Sequence, residues 1–262
     1  MKSKGSFVAL VIAFLMLWLP VGQHDFLLEH WMKVGTFMAP FLLLAAFVFA
    51  KDRDLRTDPS ALSLFLLVAY IAHQFEEHWI DVFGQTYAFY AYLNAFLSDL
   101  TGSATGTEFM SQASIFVINT SLVWLVGAAG IWRGSDYVFA ALCMAAMVVV
   151  NGASHIAASF IGGGYNPGLL SGVVLFFPLG SAVYVWLIRA RIASVYLVIA
   201  SIIWAVLAHI IMIAGILAMS RLGWLPELAY FMALVVWSLL PAFLFSQSSR
   251  LQTPDASSRQ IS

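Results

Sequence analysis

Residues 193–219 read ASVYLVIASIIWAVLAHIIMIAGILAM, and these 27 positions hold no Asp, Glu, Lys or Arg and one histidine, His209. A helix of about 20 apolar residues crosses the hydrocarbon core of a bilayer, so this stretch predicts a transmembrane helix. The rest of the chain repeats the pattern. Of its 262 residues, 62% are apolar and 10% are charged, and the mean hydropathy is +0.91. Soluble domains carry about 25% charged residues. The composition therefore excludes a soluble globular protein and a disordered chain. A net charge of -1 leaves no basic footprint for nucleic acid. The single cysteine, Cys143, excludes a disulfide framework, a CxxC redox pair and a thiolate zinc site.

Outward from 193–219, seven more segments qualify as spans: about 5–22, 34–50, 61–79, 110–132, 137–161, 169–188 and 226–246. The predicted class is all-α, a polytopic transmembrane helix bundle of about eight spans. Two lysines before an apolar run also describe a signal peptide, but residues 7–22 lack a clean small-x-small cleavage site. The first span is read as a retained anchor; its cleavage would leave seven. Residues 1–246 are expected to form one membrane-embedded domain, and the polar stretch 247–262 a disordered tail.

Basic residues orient the spans. With both termini cytoplasmic, Lys2, Lys4, Lys51, Arg53, Arg56, Arg133, Arg189, Arg191, Arg250 and Arg259 fall inside, and only Lys33 and Arg221 fall outside. All six histidines then lie on the outer side or in the outer half of a span: His24, His30, His73, His78, His155 and His209. Ionisable groups at membrane depth cost a few kcal/mol and usually mark function. The expectation is one polar cavity opening outward. The aromatic-rich outer segment from Tyr87 is expected to form a lid or a short interfacial helix. The chain shows no internal repeat of the kind many transporters carry.

The densest cluster is His73-Gln-Phe-Glu76-Glu77-His78-Trp-Ile-Asp81. Positions three and four apart share a helix face, so His73, Glu76 and Glu77 are expected to point together. His78 lies about 140° round from His73 on an α-helix and is expected to face elsewhere. An imidazole with two carboxylates can hold Zn or Fe, or run acid–base chemistry. Asn151 and His155 share a face of the fifth span, and a second-helix histidine is what a metal site needs. Gly162 to Gly168 (GGGYNPG) spells a turn that brings Tyr165 to the same layer.

Three ordered motifs now stand in the chain: HxxEE (His73, Glu76, Glu77), NxxxH (Asn151, His155) and YxPG (Tyr165, Pro167, Gly168). The trio resembles the HXXEE family of bacterial integral membrane proteins, over roughly residues 55–190. The family's biochemical function is not generally established, so the resemblance implies that these residues belong together and names no substrate. It also implies a bacterial inner membrane. Intramembrane proteases of the CAAX type pair glutamates in a similar layout, but their arginine four residues after the second glutamate is Asp81 here.

The leading functional expectation is a metal-dependent enzyme. His73, Glu77 and His155 hold a divalent ion, Zn or Fe. Glu76 or Glu77 activates water, and Asn151 and Tyr165 steady the developing oxyanion. The reaction would be hydrolysis of a lipid, isoprenoid or peptide bond at the outer face. The partners would be the bilayer and a hydrophobic small-molecule or lipid substrate. Two alternatives stand beside it. One is metal-free acid–base isomerisation, cyclisation or epoxide opening. The other is a non-enzymatic transporter or binder of a proton, a metal ion or a quinone.

Overall fold

The computed structural model describes residues 25–51, 54–104, 106–223 and 225–245. The expected first span, His24 and the polar tail lie outside them. The described residues are all-helical, with no strand. In chain order they form α1 (Asp25–Ala50), α2 (Pro59–Gln74), α3 (Ala88–Thr101), α4 (Gln112–Arg133), α5 (Val138–Gly162), α6 (Leu169–Arg189), α7 (Val195–Ser220) and α8 (Glu227–Leu239). Among them α1, α4, α5, α6 and α7 contain stretches long and apolar enough to cross a membrane. The stretch in α1 runs from Leu28 to Val48, longer than the expected 34–50. The segment around Glu29 and His30 is therefore the first turns of α1 rather than a separate outer loop. Helix α8 is shorter than the expected 226–246 and ends in a 3₁₀ turn at Leu240–Ala242.

Helix α2 is the axis of the bundle. Asp58 caps it by accepting from the N–H groups of Ser60 and Ala61 at 3.0 and 3.1 Å, with Pro59 at the first helical position. Almost every residue of α2 is then buried, polar ones included. It packs against α1, α4, α5 and α6. The outer helices carry the lipid-type surface: Phe37, Phe41 and Phe47 of α1 and Tyr196, Ile199 and Ile203 of α7 are exposed. A helix apolar on its outward face suits a hydrocarbon solvent, and there interhelical packing relies on small residues and polar contacts. At Gly152 of α5, an added Cβ would stand 3.0 Å from the Gly172 carbonyl oxygen of α6. The two backbones touch there because no side chain intervenes.

Arg56 and Arg133 lie at one end, and Lys33, over the Trp79 and Tyr87 rings, lies at the other. Ser60 meets Ser135 at 3.0 Å, joining the start of α2 to the α4–α5 turn beside Arg133. The Arg56 guanidinium lies 6.0 Å from the Trp186 ring near the end of α6. The C-terminal end of α2, the α5–α6 connection and α3 lie at the opposite end, where the histidines are.

Candidate metal centre

Helix α2 does not end as an α-helix. Over Phe75–Trp79 it widens into a π turn, closed by the Ile80 N–H donating to the Phe75 carbonyl at 3.0 Å. A π turn pairs residues five apart rather than four, and such bulges recur at functional sites. This moves two side chains from their expected places. His78 turns toward Glu77, with its Nε2 2.9 Å from Oε2. Its ring is held between Trp31 and Phe89, with centroids at 5.1 and 4.8 Å. The two glutamates, expected on one face, separate.

Glu77 points inward. Its Oε1 lies 3.3 Å from His155 Nε2, and its Oε2 lies 3.5 Å from His73 Nε2. One ligand atom each from His73, Glu77 and His155 lies within 4.8 Å of the others, and all three residues are buried. Glu76 points the other way, onto the α5–α6 loop. Its Oε1 accepts from the Tyr165 hydroxyl and the Leu170 N–H, both at 3.1 Å, and its Oε2 accepts from the Ser171 N–H at 2.7 Å. A carboxylate there satisfies donors that every helix start leaves open, and complements the positive end of the α6 dipole. Glu76 anchors the loop; it does not face the reacting space.

The orientation of both histidine rings follows from their neighbours. The Asn166 amide is oriented by its Nδ2, which donates to the His155 carbonyl at 2.8 Å, so Oδ1 faces His155 Nδ1 at 2.6 Å. An amide oxygen only accepts, so His155 Nδ1 carries a proton. The Ser171 hydroxyl lies 2.8 Å from His73 Nδ1 and 3.3 Å from the Gly168 carbonyl oxygen. With Nδ1 so held, each ring turns Nε2 toward the Glu77 carboxylate, where that atom ligates a metal ion when bare and donates when protonated. His73 Nε2 is buried with no directed hydrogen bond, as is His78 Nε2.

Gly168 makes the convergence possible. Its φ is +94°, and an added Cβ would stand 2.7 Å from Cε1 of both His73 and His155. The two rings meet at a centroid distance of 4.9 Å over this glycine. The Phe176 ring, at the end of a second π turn (Gly172–Phe176), covers His73 at 4.3 Å.

A cavity of about 310 Å3 adjoins the cluster. Glu77, His155, Asn151, Tyr70 and His209 contribute to its wall, which is otherwise mostly apolar. The Asn151 side-chain N–H donates to the Tyr70 hydroxyl. Tyr165, the expected oxyanion donor, is engaged with Glu76 instead. Burial first, and then the Glu76 carboxylate, raise its pKa above the ordinary phenol range, so it remains a neutral donor. His209 donates from Nδ1 to the Ala205 carbonyl at 2.9 Å, which leaves Nε2 as an acceptor. Asp81 caps its own loop by accepting from the N–H groups of Phe83 and Gln85 at 2.9 and 2.8 Å.

Sequence reasoning missed Tyr70, Asn166 and Ser171 as partners of the site. Tyr70 stands three residues before His73, on the same helix face, which was a usable signal. Nothing in the sequence marked Ser171. It also missed Gln74, whose Nε2 donates to Asn119 Oδ1 and whose Oε1 accepts from Trp124 Nε1, each at 2.9 Å. Gln74→Leu strands two buried partners and is expected to lower stability by about 2 kcal/mol, read as a lower Tm with metal content unchanged.

Residues 64–185 match the model of a family described as proteins of unknown function with an HXXEE motif. This segment, just under half of the chain, is similar to the HXXEE family. Comparisons with curated proteins and with solved structures found no match. The HXXEE segment runs from within α2 to within α6, so it holds every residue of the His73–Glu77–His155 cluster. His209, which also lines the cavity, lies outside it.

Proposed function

We propose that this protein is a membrane-embedded, metal-dependent enzyme that hydrolyses a bond in a lipid or isoprenoid molecule at the outer side of the membrane. One observation carries the reading: two imidazoles, held at Nδ1 by Asn166 and Ser171, converge with Nε2 on a buried carboxylate within ligand distance of one another. Nε2 facing an anion needs a metal cation or a proton between them. Outer partners that hold Nδ1–H and fix ring orientation are characteristic of metal-ligating histidines. Here Asn166 and Ser171 fill that role.

His73, Glu77 and His155 would hold the ion, and three protein ligands leave a position open for catalysis. Zinc or iron bound there would supply a Lewis acid and lower the pKa of a coordinated water. His78 steadies the Glu77 carboxylate from the side. Tyr70 accepts from Asn151, which leaves its own hydroxyl proton free to donate to an oxygen in the cavity. It takes the part expected of Tyr165. His209 Nε2, on the cavity wall, can accept a proton. The apolar lining supports a hydrocarbon-rich substrate over a peptide. The excess of Lys and Arg in the loops at the opposite end of the bundle, Arg56 and Arg133 among them, supports an outer location.

A second reading has one specific support. A proton on His155 Nε2 would also bridge the 3.3 Å to Glu77 Oε1 with no metal ion, which suits a cluster that holds a proton for isomerase-type chemistry. Elemental mass spectrometry on the detergent-purified protein separates the two. The expected result is about one Zn or Fe per chain, lost in His73→Ala and in His155→Ala. No metal in the wild type after loading with either ion would overturn the hydrolase reading.

A further inference from the structure

The cavity beside the cluster has an unusual wall. Its deep part is closed: Leu122 of α4 and Met147 of α5 line it and are 2% and 1% exposed. Its shallow part is open along one stripe of α5. Ser154, Ala157 and Ile161 line the cavity and are themselves exposed, Ile161 by 73%. Spacings of three and four keep them on one helix face. Met212 and Ile213 of α7 face them across the opening, and Phe96 of α3 lies above. This rim carries no charged side chain; its polar groups are Ser154 and the Tyr92 hydroxyl, which lies beside Gly162. Just outside it, Phe160 of α5 is 84% exposed and Ile210 of α7 is 54% exposed.

We propose that the cavity opens sideways between α5 and α7 into the hydrocarbon of the bilayer, and admits a single-chain amphiphile from within the membrane, its polar end at Glu77 and His155. The placing of the polar end rests on the metal-centre reading; the sideways entry does not. An opening onto water would expose apolar Ile161, Phe160 and Ile210 together, whereas hydrocarbon covers all three. Binding pockets for small molecules span roughly 300–1,000 Å3. About 310 Å3 lies at the small end, which suits one apolar chain and not a two-chain phospholipid. Helix α3, with Phe89, Tyr92, Leu93 and Phe96 turned to the cavity, roofs the chain from the loop side.

The test is photolabelling of the full chain in phosphatidylcholine nanodiscs. Palmitic acid and farnesol, each bearing a diazirine, serve as probes, and mass spectrometry maps the labelled residues. At least one probe is expected to label Leu122 and Met147, which a chain reaches only through the cavity. Ile199, on the outer face of α7, reports ordinary lipid contact. Ala157→Trp and Ile161→Trp fill the rim at exposed positions that the fold does not need. Each is expected to reduce labelling at Leu122 and Met147 at least fivefold and to leave Ile199 unchanged. Labelling of neither interior residue by either probe overturns the proposal, as does interior labelling that both variants leave intact. Metal content measured on the same samples keeps the two readings apart: interior labelling without metal retains the sideways entry and removes the hydrolase.

Discussion

Gly168→Ala is expected to lower bound metal at least tenfold while leaving the helical content in place. The reason is space. The residue sits at φ +94°, where a Cβ is strained, and the left-handed region costs an L-residue about 1–2 kcal/mol. The larger effect is the collision. The new methyl would stand 2.7 Å from Cε1 of both His73 and His155. Both rings would have to swing away from Glu77, and their hydrogen bonds to Ser171 and Asn166 would break with them. Ligand sets lose roughly 10–100-fold in affinity when the outer partners of a histidine are removed, and here two histidines are disturbed at once. Elemental mass spectrometry beside circular dichroism checks it. Normal metal content in Gly168→Ala would show that the two imidazoles do not converge on one ion.

The two glutamates are expected to separate cleanly by substitution. Glu76→Ala removes the acceptor for Tyr165, Leu170 and Ser171, and leaves two backbone donors unpaired at the start of α6. A lost charged hydrogen bond is worth about 1.5–3 kcal/mol, so a loss of about 3 kcal/mol or more is expected, seen as a lower Tm. Glu76→Gln keeps one acceptor oxygen and is expected to recover part of it. Glu77→Gln should do the reverse. It retains the shape of the side chain and most of the stability, but replaces the anionic ligand and is expected to abolish metal binding. Thermal melts and metal content on the three variants check both halves. Equal metal loss in Glu76→Gln and Glu77→Gln, with no difference in Tm, would show that the carboxylates act as one unit.

Much of the architecture was legible along the chain. Uncharged runs such as 193–219 read as helices, since hydrocarbon leaves the backbone no partner but itself. The three motifs marked His73, Glu77 and His155, since ionisable side chains stand out in a sequence with so few. What was not legible was direction. On a regular α-helix, Glu76 and Glu77 share a face and His78 does not. The π turn at Phe75–Trp79 redistributes all three, and no residue in FEEHW announces it.

The sequence alone determined that this is an apolar, all-helical chain and that its histidines fall on one side of the predicted spans and most of its lysines and arginines on the other. Both follow from composition and from the spacing of charges, which are local properties. Only the tertiary structure decided the division of labour. It put Glu77 among three imidazoles and Glu76 on the α6 N-terminus. It placed Tyr70 rather than Tyr165 at the cavity, and brought His209 to the cavity wall. Those outcomes depend on how α2, α5, α6 and α7 rotate and approach one another, down to Gly168, which lies 95 residues from His73 in the chain and against its ring in space. Contacts of that kind are set by packing across the bundle, and no local reading of the chain contains them.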